Sequence, residues 1–256
     1  MTESGRSKTR HQFPRLLLLK VALAVVLGWR RSLGEDSAGG LRGAGVPWAA
    51  LDTRYLPAEG AFVLVGNHYE RPGLWTGWGA MVVSVAVRER TGRDLHWLMV
   101  SELLDFSVGP LRVPRPLLRW VFARFGRIYG FGLVSAREAE GVGGVAGLRT
   151  AARVLVAGEP LGVLPEGTAS FALRKARPGV GEALAWLAKG TYPIVPAGLA
   201  EWDGVLTATF GPPFALRPIE GTKTERDQAL RDQVMVAIGR LLPEDLWGDY
   251  RELVRN

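Results

Sequence analysis

Short apolar runs alternate with longer amphipathic stretches along most of the chain. Residues 61–65 (AFVLV) are rich in β-formers and end at Gly66, Asn67 and His68, which predicts a buried strand delivering a loop. Residues 74–88 read as a helix, 95–100 as a second strand, and 136–157 as a long helix. A third strand, 160–164 (PLGVL), runs straight into Pro165, Glu166, Gly167 and Thr168. Beyond it come a helix at 179–188, strands at 192–199 and 205–210, and a closing helix at 224–242. Strands and helices alternating in this way predict an α/β fold, a mixed, mostly parallel sheet flanked by helices. In such sheets ligands gather at loops leaving strand ends, which is where both polar motifs fall.

The amino-terminal part follows a different pattern. Residues 16–29 (LLLLKVALAVVLGW) are apolar except for Lys20. As a helix at ~1.5 Å per residue this run reaches about 21 Å, short of a hydrocarbon core of roughly 30 Å. The expectation is a membrane-associating helix lying in the interface with Lys20 snorkelling outward. A secretory signal competes, but Arg30 and Arg31 stand where its cleavage site wants small residues; a buried core helix is the third reading. Residues 34–45 are Gly-rich and read as a linker. The expected division is therefore 1–45, a basic tail with apolar helix and linker, and 46–256, the α/β domain.

Charge sharpens this picture. The chain totals +7, yet residues 1–31 carry seven bases (Arg6, Lys8, Arg10, Arg15, Lys20, Arg30, Arg31) against Glu3 alone, so the body is nearly neutral. Bases bracketing an apolar run suit an anionic membrane surface, not a nucleic acid, whose binders spread cations over a folded face. Residues 103–133 add five arginines (Arg112, Arg115, Arg119, Arg124, Arg127). On a helical wheel Leu117, Leu118, Val121, Phe122 and Phe125 share one arc, with Arg119, Trp120, Arg124 and Arg127 opposite. Such a helix fits a lipid surface or an ordinary solvated face.

Composition narrows the chemistry. With 47% hydrophobic and 22% charged residues the chain can bury a core. It has no cysteine, which removes disulfides, thiolate metal sites and a cysteine nucleophile, and its three histidines, His11, His68 and His96, supply a metal poorly. No G-x-S-x-G, G-x-x-x-x-G-K-[ST] or H-E-x-x-H occurs. Residues 141–146 fit a loose G-x-G-x-x-A, but follow a charged stretch instead of a strand and read as a helix-packing face. What remains is Asn67 with His68, and the Pro165–Thr168 turn. A strand-end histidine can serve as a general base near neutral pH.

Together these motifs resemble the phospholipid and glycerol acyltransferases, the lysophospholipid acyltransferase family, over residues 62–213. Asn67 and His68 resemble its first block, Glu102 and Leu103 its Glu-Leu stretch, and residues 134–137 its middle block, with Arg137 as the block's arginine. Residues 164–168 resemble the Pro-Glu-Gly-Thr block, Ile194, Val195 and Pro196 the fourth, and residues 210–212 the closing strand. Three departures stand out: Gly73 replaces the family's Asp five residues after His68, Ala169 its common Arg after Pro-Glu-Gly-Thr, and Val100 a common Lys. An orienting carboxylate fixes the imidazole tautomer and stabilises the imidazolium, so another acid has to stand in for it. Glu70 is nearest in sequence and Glu102 second; the plain alternative for Glu70 is a solvated loop residue.

The resemblance implies transfer of a fatty acyl group from acyl-CoA or acyl carrier protein, the co-substrate, to a hydroxyl of a lysophospholipid or related lipid acceptor, with no resident cofactor or metal. It implies His68 as general base, Asn67, Glu166, Gly167 and Thr168 around the acceptor, and Arg137 on its anionic head, with Arg174, Lys175 or Arg177 able to reach the same pocket. It also implies membrane association at the cytoplasmic face of the cell membrane. The three departures keep a rival open, a catalytically weak or inactive lipid-binding protein on the same fold. A hydrolase pairing His68 with a serine ranks last, because no serine lies in an elbow.

Overall fold

The structure, a computed structural model, describes residues 11–100, 107–108, 111–134, 145–189, 191–217 and 219–256. Its elements run α1 (Arg15–Leu27), α2 (Leu33–Ala44), β1 (Trp48–Leu51), β2 (Val63–Gly66), α3 (Gly77–Thr91), β3 (His96–Val100), β4 (Ser107–Val108), β5 (Leu111–Arg112), α4 (Arg115–Tyr129), β6 (Gly132–Val134), α5 (Val145–Val156), β7 (Leu161–Val163), α6 (Val180–Ala188), β8 (Ile194–Trp202), β9 (Val205–Phe210), α7 (Lys223–Gly239) and α8 (Arg251–Arg255). Seven strands form one sheet in the order β1-β9-β8-β2-β7-β3-β6, and β4 pairs with β5 separately. All pairings from β8 through β6 are parallel, while β8 meets β9 antiparallel. This is the expected mixed, mostly parallel sheet flanked by helices.

The centre of the sheet explains itself from sequence. Every residue of β2 (VLVG) and β7 (LGV) is buried, as befits strands covered on both faces, where an unbroken apolar run replaces alternation. Gly162 is needed in β7 because a Cβ there would overlap the Trp97 ring beside it. The Trp97 indole donates to the Ser84 hydroxyl at 3.0 Å, tying β3 to α3. On the other face α7 begins with a capping box between Thr222 and Glu225.

Residues 34–45 depart from the linker expectation by forming α2, the helix packed most extensively on α3. The Ser32 hydroxyl accepts from Glu35 N–H at 3.2 Å, and Glu35 and Asp36 sit in the first turn, where carboxylates favour a helix start. Its glycines shape a packing face: at Gly40 a Cβ would press on Phe13 and Met81. Asp36 gathers the amino-terminal elements, accepting both arms of Arg31 at 2.6 and 2.5 Å and the Tyr129 hydroxyl at 2.7 Å. That bond and burial hold the Tyr129 phenol well above its ordinary pKa.

The apolar run folds as one helix, α1, buried only at Ala24 and Val25 and closed by Gly28 at φ 75°. No helix among the described residues is long and apolar enough to cross a membrane. α1 packs against α4. On α4 the wheel holds for Leu118, which is buried, but Leu117 from the same arc is 49% exposed.

Candidate active site

β2 and β7 are hydrogen-bonded neighbours with Val65 opposite Val163, so the loops that follow leave the same edge of the sheet side by side. They are then stitched together. Ser170 N–H donates to His68 C=O and Glu70 N–H donates to Ser170 C=O, both at 2.9 Å. The Glu166 carboxylate lies between the loops, 3% exposed, accepting His68 N–H at 2.7 Å on Oε1 and Arg174 N–H at 2.7 Å on Oε2. Burial raises its pKa, and those backbone donors oppose the rise. Gly167 sits at φ 62°, left-handed backbone that lets the chain turn under Arg177.

The His68 imidazole has one nitrogen on each side of the solvent boundary. Nδ1 is buried with no hydrogen-bond partner among the described residues; Nε2 makes no such bond either and is absent from the buried atoms, so it meets solvent. Burial lowers the His68 pKa, and the Glu70 carboxylate pulls the other way. The ring is therefore neutral at neutral pH. Glu70 faces it electrostatically but bonds elsewhere, accepting Thr76 N–H at 3.3 Å at the entrance to α3. Gly73 has φ 86°, within a turn closed by reciprocal bonds between the backbones of Arg71 and Leu74. Pro72-Gly73 thus turns the loop back where the resembling family carries its acid.

Two further tethers fix this loop. Asn67 is buried and its amide is tied to β8: Nδ2 donates to Leu199 C=O at 2.9 Å and Oδ1 accepts Leu199 N–H at 2.6 Å. It positions the backbone ahead of His68. Arg71 forms a buried ion pair with Glu201 on β8, and that bond raises its pKa. Neither Leu199 nor Glu201 carries a sequence signal linking it to the first loop. Thr168 is exposed and accepts from Arg177 Nη2 at 3.2 Å. Arg137 and Glu102 lie outside the described residues.

Clefts open on both sides of Ala169 and Ser170. One, about 570 Å³, is lined by Glu70, Gly73, Trp75 and His11 among others. It shares His11, Trp75 and Trp78 with an apolar chamber of about 410 Å³ roofed by Leu17, Leu18 and Val21 of α1. The other, about 630 Å³, is lined by Glu166, Thr168 and a cationic run at residues 174–177. Among the described residues no cluster of three or more His, Asp or Glu side chains is placed to hold a metal ion.

No family model matches the chain, and no curated protein matches it. Among solved structures it is similar to the crystal structure of the 1-acyl-sn-glycerophosphate (LPA) acyltransferase PlsC from Thermotoga maritima, with 14% identity over 94% of this chain and 88% of that one, at a TM-score of 0.48. A likeness that distant leaves the chemistry to be argued from the site itself.

Proposed function

We propose that the protein is a lipid acyltransferase that moves a fatty acyl group from acyl-CoA or acyl carrier protein to a hydroxyl of a lysophospholipid or related lipid acceptor. The observation that carries the reading is His68: a neutral imidazole with one open nitrogen, fixed through its own backbone by Glu166 on the neighbouring strand's loop. Nε2 takes the proton of the acceptor hydroxyl as the oxygen attacks the thioester carbonyl carbon. The tetrahedral intermediate collapses by breaking the C–S bond, and the imidazolium returns its proton to the leaving thiolate. General-base help of this kind is worth roughly 10² to 10⁴ in rate, with positioning supplying the rest.

For Nε2 to accept, Nδ1 must carry the ring's own proton, and a buried N–H without an acceptor costs about 1–3 kcal/mol. Glu70 is the acid that relieves this. Released from Thr76 N–H when a substrate enters the cleft it lines, it stabilises the imidazolium at close range. Thr168 and Gly167 border the acceptor side, with Arg137 assigned to its anionic head by the resemblance alone. The chamber beneath α1 accommodates alkyl chain, and the protein works from a membrane surface against which α1 lies.

The orphaned Nδ1 and the Pro72-Gly73 turn favour one other reading, a lipid-binding protein with little or no turnover. An acyl-transfer assay on liposomes, with labelled acyl-CoA and a panel of lysolipids, separates the two. Transfer by the wild type that falls at least 100-fold in His68→Ala supports the enzyme. Full activity in that variant rejects the base, and lysolipid binding without transfer selects the alternative.

A further inference from the structure

The end of the sheet opposite His68 carries a cleft that the chemistry above does not use. β2 and β8 run parallel, with Val63 opposite Ile194 and Gly66 opposite Ala197, so the loop leaving Gly66 for His68 and the turn entering Ile194 lie at opposite edges. Against that entering turn opens a cleft of about 660 Å³. Half-buried Tyr192, Phe214 and Leu216 give it an apolar wall, and Lys189, Arg217 and Arg226 bring three cations to it against one carboxylate, Glu182.

The wall is fixed by its own hydrogen bonds. Ile194 N–H donates to Phe214 C=O at 3.0 Å and Phe214 N–H to Ile194 C=O at 2.9 Å. The Gln233 side chain on α7 clamps residue 217 from both sides, Oε1 accepting Arg217 N–H at 2.9 Å and Nε2 donating to Arg217 C=O at 3.3 Å. Glu182 is taken up by Arg226 at 3.1 Å, which leaves the side chains of Lys189 and Arg217 without a carboxylate partner among the described residues. Lys189 also stands at φ 43°, the left-handed end of α6 where glycine is favoured. Its ammonium lies 4.8 Å from the centre of the Trp186 ring, a contact that leaves its N–H donors unmatched.

An apolar wall beside two unneutralised cations suits neither a bare inorganic anion, which leaves the wall wet, nor an uncharged alkyl chain, which leaves the cations unused. We infer that this cleft binds a single-chain amphiphile with an anionic head, its alkyl chain against Tyr192, Phe214 and Leu216 and its head at Lys189 and Arg217, in a site separate from the one at His68. An arginine fork and a lysine point charge serve a carboxylate or a phosphate monoester. The site stands independently of the acyl-transfer reading.

Hydrogen exchange of the full chain tests this with decanoate, decyl phosphate, decanol and acetate, each below any micelle concentration. The proteins are wild type, Lys189→Gln/Arg217→Gln, and Arg251→Gln, a surface cation on α8. The expected result is slower exchange around Tyr192 and Phe214 with decanoate or decyl phosphate. The half-saturating concentration rises at least tenfold in the double variant and is unchanged in Arg251→Gln. Protection by one of the two anions alone supports the site and identifies its head group as carboxylate or phosphate. Four outcomes overturn the proposal: no protection in wild type, equal protection by decanol or by acetate, protection unchanged in the double variant, or protection confined to α1 and α2, which would place the chain in the other chamber.

Discussion

The proposed mechanism needs His68 neutral, and burial favours that form, which makes its pH behaviour calculable in sign. Its folded pKa lies below the ordinary 6.5, so the neutral form persists into mildly acidic solution. The acid limb of kcat/KM for acyl transfer is therefore expected to have its midpoint below 6.5. Glu70 raises that pKa, so Glu70→Gln moves the limb to still lower pH while cutting the rate at pH 7 by about tenfold, far less than the ~10⁴ lost when a directly bonded triad acid is neutralised. A limb moving upward in Glu70→Gln would show that the carboxylate does not act on this ring. Glu166 has a different job. Glu166→Ala strands the His68 and Arg174 N–H groups, and at about 1–3 kcal/mol for each unmet donor the urea midpoint should fall clearly. His68 and Glu166 were both legible from sequence, because a polar motif directly after an apolar run marks a strand end. The tethers of Asn67 to Leu199 and Arg71 to Glu201 were not: they join residues 132 and 130 positions apart, and only the pairing of β2 with β8 brings them together.

Among the elements, strands in the middle of the sheet were readable and those at its edges were not. β2, β7 and β8 are continuous apolar runs, whereas β1 (WAAL) and β6 (GLV), at the two edges, hold one β-former each, Trp48 and Val134, too little pattern to stand out. α2 was hidden by its glycines, which signal a linker locally but serve close helix packing in the folded chain. The same logic separates two Gly→Ala substitutions. At Gly181 in α6 an added Cβ would meet the α7 backbone at Asp227 and Arg231, which cannot step aside, so Gly181→Ala should destabilise by about 1–3 kcal/mol in urea unfolding. At Gly39 of α2 the nearest atom to an added Cβ is Leu17 Cδ2 at 3.8 Å, an ordinary contact. Gly39→Ala should instead gain up to about 1 kcal/mol from helix propensity. Equal losses at the two sites would show that backbone approach does not govern this packing.

At the scale of the whole molecule the decisive feature is the run of exposed apolar side chains along α1. α1 turns Leu16, Leu19 and Val26 outward, and Trp29 just beyond it is also exposed, while its inward side chains roof the apolar chamber that leads toward the Glu70 cleft. The α4 helix beside it adds exposed Leu117 and Trp120, with Arg124 stacked near the indole. Apolar surface rimmed by cations costs free energy in water and gains it at an anionic bilayer, where each deeply buried large aliphatic side chain contributes about 1.5–3 kcal/mol. Leu19→Glu/Val26→Glu removes two of these contacts and adds repelling charge at positions that touch little inside the protein, so the fold should survive. Partitioning onto phosphatidylglycerol-containing vesicles, followed by flotation, should then fall more than 100-fold with the melting temperature nearly unchanged. Raising the salt to 1 M should weaken wild-type binding only in part, because screening removes the attraction of the arginines and leaves the apolar contribution in place. Complete release by salt, or a double variant that still floats with the vesicles, would mean that α1 is not the surface that meets lipid.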